Sequence, residues 1–144
     1  MNIEEKNKLR VIDSLIKTLD DKYSSEVRAS SAEVLGKLGY AERKVIDALI
    51  KALGDQYSWQ VRDRAAEALG NLGHAEPHVI DALIKALGDQ YSDVRARAAE
   101  ALIKLEHTNP RVIDILIDAT LHPESKIRKN AVEALGKLKY SKEN

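Results

Sequence analysis

The sequence predicts an all-α fold, an α-solenoid (alpha-alpha superhelix) of four two-helix repeats, and three observations carry that prediction. The segment Val61–Leu72 recurs as Val27–Leu38, Val94–Leu105 and Ile127–Leu138. Each copy follows an apolar run of its own: Val11–Leu19, Val45–Leu53, Val79–Leu87 and Val112–Leu121. The runs open at spacings of 34, 34 and 33 residues, and the second segments at 34, 33 and 33. One such unit cannot bury both of its apolar faces, so the copies must stack. The repeats run approximately over 11–44, 45–78, 79–111 and 112–144 and form a single domain over 1–144.

The first helix of repeat two shows the pattern most clearly. At about 100° per residue, Val45, Ile46, Leu49, Ala52 and Leu53 share one face, while Asp47 and Lys51 lie opposite. Pro77 and Pro110 precede their runs, where a helix tolerates proline. Asn109 is a good cap, and Gly54 and Gly88 suit the stop. The second helix has a narrower seam of Val61, Ala65, Ala68, Leu69 and Leu72. Ser24, Ser58, Ser92 and Ser125 stand just ahead of the second helices as expected N-caps. Repeats three and four are one residue shorter at that connection, which marks it as a loop. Gly39 and Gly73 stop the second helices of repeats one and two; Glu106 and Lys139 replace them later, so those ends must close differently. Residues Asn2–Arg10 extend the first helix as a polar cap, and Lys139–Asn144 fray.

Composition narrows the class of function. Lys+Arg and Asp+Glu both total 23 in 144 residues, so the formal charge is zero, which argues against a general binder of nucleic acid or anionic membrane. With no cysteine there is no disulfide, thiolate metal site or cysteine nucleophile. The N-terminus carries no apolar leader and no run spans a bilayer, so a cytoplasmic monomer is the expectation. His74 and His78 are separated by Pro77 and a helix start; no metal, cofactor or catalytic residue is expected.

The pattern Asp-x(5,6)-Val-Arg-x-x-Ala-Ala-x-Ala-Leu-Gly-x-Leu-Gly is complete in repeat two, from Asp55 through Val61, Arg62, Ala65, Ala66, Ala68, Leu69, Gly70 and Leu72 to Gly73. Over about 11–140 the chain resembles HEAT-like repeats of the phycobilisome-lyase type. Repeat four departs from the pattern, with His122 for the aspartate, Ile127 for valine and Val132 for the second alanine. The resemblance implies a ladder of loop aspartates and arginines between neighbouring repeats: Asp20 or Asp21 with Arg28, Asp55 with Arg62, Asp89 with Arg95, and Arg128 without an aspartate. An anion site is the competing reading of that arginine row.

The resemblance also implies that the second helices line a concave, partner-binding face. The wheel places Trp59, Gln60, Asp63, Arg64, Glu67 and Asn71 there in repeat two, Asp93, Arg97, Glu100 and Lys104 in repeat three, and Lys126 and Lys129 in repeat four. These positions vary between copies while the core positions hardly do. The expected function is therefore a non-catalytic scaffold or interaction module for a protein or peptide partner, without nucleic acid or membrane. The alternatives are an accessory of phycobilin (tetrapyrrole) lyase type and a designed or consensus-derived repeat scaffold. Trp59 is either an interface anchor or a ring folded onto Tyr57 or Tyr91. Tyr23, Tyr57 and Tyr91 recur at a spacing of 34 and are expected to pack between repeats. Between Ser125 and Lys142 six basic residues face one acid, either a solvated end or a patch for an acidic partner. Ile103 takes the place of Gly70 and Gly136, and with Val132 it is expected to mark a widened apolar seam.

Overall fold

A computed structural model of the chain describes residues 1–139. Among them, eight helices follow one another: α1 (Ile3–Thr18), α2 (Ser25–Leu38), α3 (Arg43–Leu53), α4 (Trp59–Leu72), α5 (Pro77–Ala86), α6 (Ser92–Glu106), α7 (Arg111–Ala119) and α8 (Ser125–Gly136). Odd-numbered helices open the repeats and even-numbered helices close them. The expected face of α3 is the buried one, since Val45, Ile46, Leu49, Ala52 and Leu53 are all in the core. The same residues recur buried in α5 as Val79, Ile80, Leu83 and Ala86, and in α7 as Val112, Leu116 and Ala119. α1 runs back to Ile3 with Asn2 capping the Glu5 N–H at 2.8 Å, so the polar N-terminal residues extend it.

The two helix rows stack differently. α2 lies against α4, and α4 against α6, along most of their lengths, whereas α1, α3 and α5 touch only over short stretches. A stack with unequal row spacing bends toward its tighter row, here the second helices. Small residues permit the tight spacing. A Cβ placed on Gly36 lies 2.7 Å from the Ala68 Cα, and one on Gly70 lies 2.8 Å from the Ala101 Cα. No real side chain fits at either distance, so these glycines set how closely the helices approach.

Capping separates the repeats. Ser24 and Ser58 accept the N–H groups of Val27 and Val61 at 3.2 and 3.3 Å. Ser92 and Ser125 do not cap; the cap positions fall to Tyr91 and Glu124, neither of which gives a side-chain bond. The cap always stands three residues before the Val or Ile that opens the second-helix seam (Val27, Val61, Val94 and Ile127), so deleting one loop residue moves the serine inside the helix. Gly39 and Gly73 end α2 and α4 in the left-handed region, with φ of 77° and 69°, where a side chain is strained. α6 and α8 instead end on His107 and Lys137 in right-handed geometry. Asn109 accepts the Arg111 N–H at 3.0 Å at the start of α7. Of the segment expected to fray, residues 140–144 lie outside the described residues.

Two of the tyrosine expectations are corrected. Tyr23 and Tyr57 are 96% and 89% exposed and pack against no neighbouring repeat. Tyr91, shifted to the cap position by the shorter loop, stacks on Trp59 with ring centroids 5.7 Å apart.

Candidate functional site

The loop arginines form a ladder, displaced by one repeat from the expected pairing. Arg28 donates from Nε and Nη2 to the carboxylate of Asp55 at 2.8 and 3.4 Å. Arg62 makes the same fork on Asp89 at 2.7 and 3.1 Å. The remaining Nη1 groups reach the carbonyls of Asp21 and Asp55 at 2.9 and 2.8 Å, so each arginine joins its own loop to the next. Asp55 Oδ1 also accepts the N–H groups of Tyr57 and Ser58, both at 2.9 Å. Burial pushes its carboxyl up, but Arg28 and these two amides outweigh burial and hold it below the usual carboxylate range. Asp89 in turn holds the Arg62 guanidinium above its ordinary value.

His122 occupies the next aspartate position, so Arg95 is left without a carboxylate, as is Arg128 at the end of the ladder, among the described residues. Arg95 Nη1 donates to the carbonyls of Asp89 and Gln90 at 2.7 and 3.1 Å, and no hydrogen bond among the described residues uses its Nε or Nη2. Arg128 bonds the carbonyls of His122 and Pro123 at 2.8 and 2.9 Å.

A second ladder crosses the second-helix face and gathers five of the twelve candidate binding residues. Arg64 pairs with Glu33 on α2 at 3.2 Å and with Glu67 at 3.5 Å. Arg97 pairs with Asp63 and Glu67 on α4, both at 3.1 Å, and with Glu100 at 3.3 Å. Lys37 and Arg64 hold the Glu33 carboxyl below the usual range. Asp63 is therefore buried at 8% exposure rather than presented to a partner, because Arg97 from the next repeat covers it. Lys104 donates to Asn71 at 2.8 Å. Gln60 and Asp93 are exposed near the helix starts, where Gln60 accepts from the Ser58 hydroxyl at 3.0 Å.

Trp59 departs from this face. It is half-buried, stacks on Tyr91, and lines a loop-side groove of about 730 Å³ together with Ile50, Ala82 and Lys85 of the first helices. The folded-down ring is thus the arrangement found, against the tyrosine of the following repeat.

Lys126 and Lys129 belong to a third region, between α6 and α8. These helices meet over a much shorter stretch than α2 with α4 or α4 with α6. By register Ile103 stands where Gly36 and Gly70 admit an alanine backbone, and its opposite number is Ala134. An isoleucine excludes that close approach. The resulting cleft, of about 460 Å³, lies between Arg95 and Ala99 on α6 and Lys126, Lys129 and Glu133 on α8, with Lys137 at the C-cap of α8. The seam is widened but is not the apolar one expected: Val132 is 57% exposed and Ile103 only half-buried. The sequence pattern predicts Arg95 in the ladder; the histidine at position 122, one repeat on, is the signal that its carboxylate is missing.

His74 and His78 converge more than their spacing suggests. Glu76 bonds His74, lies 2.9 Å from His78, and accepts a fork from Arg43 at 2.7 and 2.9 Å. Burial raises the Glu76 carboxyl, but Arg43 and His74 bring it below its usual range. No group of three or more His, Cys, Asp or Glu side chains placed to hold a metal occurs among the described residues. No helix among them is long and apolar enough to cross a membrane.

Comparison with known proteins places this geometry. The family model for HEAT repeats matches residues 12–103 and 80–143. No curated protein matches the sequence. Among solved structures, the chain is similar to an engineered protein at 23% identity, with a TM-score of 0.55 over 88% of this chain and 62% of that one. It is also similar to a designed armadillo repeat protein in complex with peptide (KR)4, at 25% identity and a TM-score of 0.52 over 87% and 63% of the two chains. A computationally designed armadillo repeat protein for modular peptide recognition gives 24% identity and a TM-score of 0.54 over the same shares, 87% and 63%. The chain thus spans less than two thirds of the length of each of these structures.

Proposed function

This chain belongs to the HEAT-repeat family, and on that premise we propose that it is a non-catalytic interaction module that holds a protein or peptide partner along its second-helix row. The observation that carries this reading is the ladder through Glu33, Arg64, Glu67 and Arg97. It presents charged groups of both signs at one-repeat intervals, on the side toward which the stack bends. Groups already held by ion pairs lose less conformational freedom when a partner binds. An extended peptide or a partner helix can exchange these contacts one by one, since most of the ladder is half-exposed.

The test is affinity capture from a source lysate followed by titration of the captured protein. Arg64→Ala and Glu67→Ala are expected to weaken partner binding by about tenfold each, with little change in melting temperature. Asp47→Ala and Lys51→Ala, on the exposed side of α3, serve as controls and leave affinity unchanged. Equal losses from both sets reject the second-helix row as the binding face.

A further inference from the structure

The cleft between α6 and α8 differs from the rest of the second-helix row in its charge. Elsewhere on that row, Arg64 and Arg97 are neutralised by carboxylates. In the cleft, Arg95, Lys126, Lys129 and Lys137 surround one acid, Glu133, and no ion pair within 4.0 Å engages any of the five among the described residues. Arg95 is also pre-aimed. Its Nη1 is fixed to two backbone carbonyls, and the Nε–Nη2 edge is the one by which Arg28 and Arg62 grip carboxylates. That edge has lost its partner because His122 stands where an aspartate would be. A guanidinium fork held in this way recognises a planar carboxylate in two parallel bonds.

We propose that the α6–α8 cleft docks an acidic peptide segment of a partner protein, one carboxylate seated on the free fork of Arg95 and its neighbours balanced by Lys126, Lys129 and Lys137. A cleft of about 460 Å³ admits a short stretch of chain rather than a folded domain. Ala96 and Ala99 keep its α6 wall low, and Asn130, anchored to the Lys126 carbonyl at 2.8 Å, leaves its amide oxygen to accept a peptide N–H. Glu133 sets the limit on the ligand, since it repels an acid placed toward the far end of the cleft. The proposal rests on the reading of the chain as a protein- or peptide-binding module, but it uses a surface separate from Arg64 and Glu67.

The experiment is a fluorescence-anisotropy titration of a labelled alternating Asp-Glu peptide against the full chain. Saturable binding that weakens as salt is added is expected. Arg95→Gln is expected to weaken it by about tenfold, and the double variant Lys126→Gln/Lys129→Gln by a similar factor. His122→Asp supplies Arg95 with an internal carboxylate; it is expected to weaken the peptide by about tenfold while raising the melting temperature, which shows that the variant is folded and the pair has formed. Lys51→Ala, on the exposed side of α3, leaves the peptide affinity unchanged. Unaltered affinity in both Arg95→Gln and His122→Asp overturns the proposal. So does tighter binding of a single-stranded oligonucleotide of equal charge, which makes the cleft a polyanion site. A captured partner that depends on Arg64 while the acidic peptide fails to bind rejects this cleft and leaves the module reading intact. Peptide binding that depends on Arg95, with no partner sensitive to Arg64, supports the cleft and rejects the other face.

Discussion

The junction between repeats two and three and the junction between repeats three and four use the same positions for opposite ends. At the first, Arg62 grips Asp89, Arg97 reaches Asp63 and Glu67, and Gly70 lets the backbone of Ala101 approach. At the second, His122 replaces the aspartate, Asn130 the arginine and Ile103 the glycine. Three independent interlocks therefore end at one joint. The apolar layer does not end there, because Val112, Leu116, Ile127, Ala131 and Ala134 all remain buried. The difference separates two jobs. Apolar burial keeps repeat four attached, while the ion pairs and glycines decide how closely neighbouring second helices sit.

That separation can be attacked first at the apolar layer, where the effect is largest. Leu69 is 1% exposed at the centre of the stack, and Leu69→Ala is expected to cost about 2–5 kcal/mol in chemical denaturation. Leu138, half-buried beyond the end of α8, is expected to cost less than about 1.5 kcal/mol for the same change. Equal costs would show that the stack unfolds without regard to position. Next, Gly70→Ile transplants the wedge of the third junction into the second. Overpacking of this kind typically costs about 1–3 kcal/mol. Its signature is faster amide exchange along α4 and α6, bringing them toward the protection of α8.

The ladder is tested by acid. Asp55 has a folded-state pKa below its unfolded value of about 3.9, so its contribution is fully present above that value and is lost as pH falls through the folded pKa. Asp55→Asn is expected to cost about 2 kcal/mol at neutral pH by stranding Arg28. As pH falls below about 4, the melting temperature of the native chain should then fall more steeply than that of the variant. Parallel curves would remove Asp55 from the account. The smallest effect belongs to the exposed pairs of the first helices. Lys51 lies 3.1 Å from Asp20, both largely in solvent, and Lys51→Ala is expected to change stability by less than about 0.5 kcal/mol.

The helices and their buried faces were legible because a period near 34 and an apolar stripe constrain each other. What periodicity does not encode is whether a recurring pair meets within a repeat or across the boundary. Asp55 and Arg62 recur together, yet the carboxylate serves Arg28. Recurrence likewise marks a place in the chain rather than burial, as exposed Tyr23 and Tyr57 show. Asp63 read as exposed on a single-helix wheel because the wheel omits the arginine that arrives from the next helix. Ser92 and Ser125 read as caps until the missing loop residue is counted from the buried Val94 and Ile127. Each departure comes from the same source, since contacts between repeats depend on register in space and a linear pattern records only register along the chain.

The isoleucine at position 103 has a mechanical consequence. A stacked rod whose joints are bolted at two places and merely greased at the third concentrates its compliance at the third. Pulled from its ends, such a rod stretches there before it breaks anywhere else, and a load too small to disturb α2, α4 and α6 changes the angle at which α8 is carried. Losing the aspartate, the arginine and the glycine at one joint thus places the expected point of flexure there.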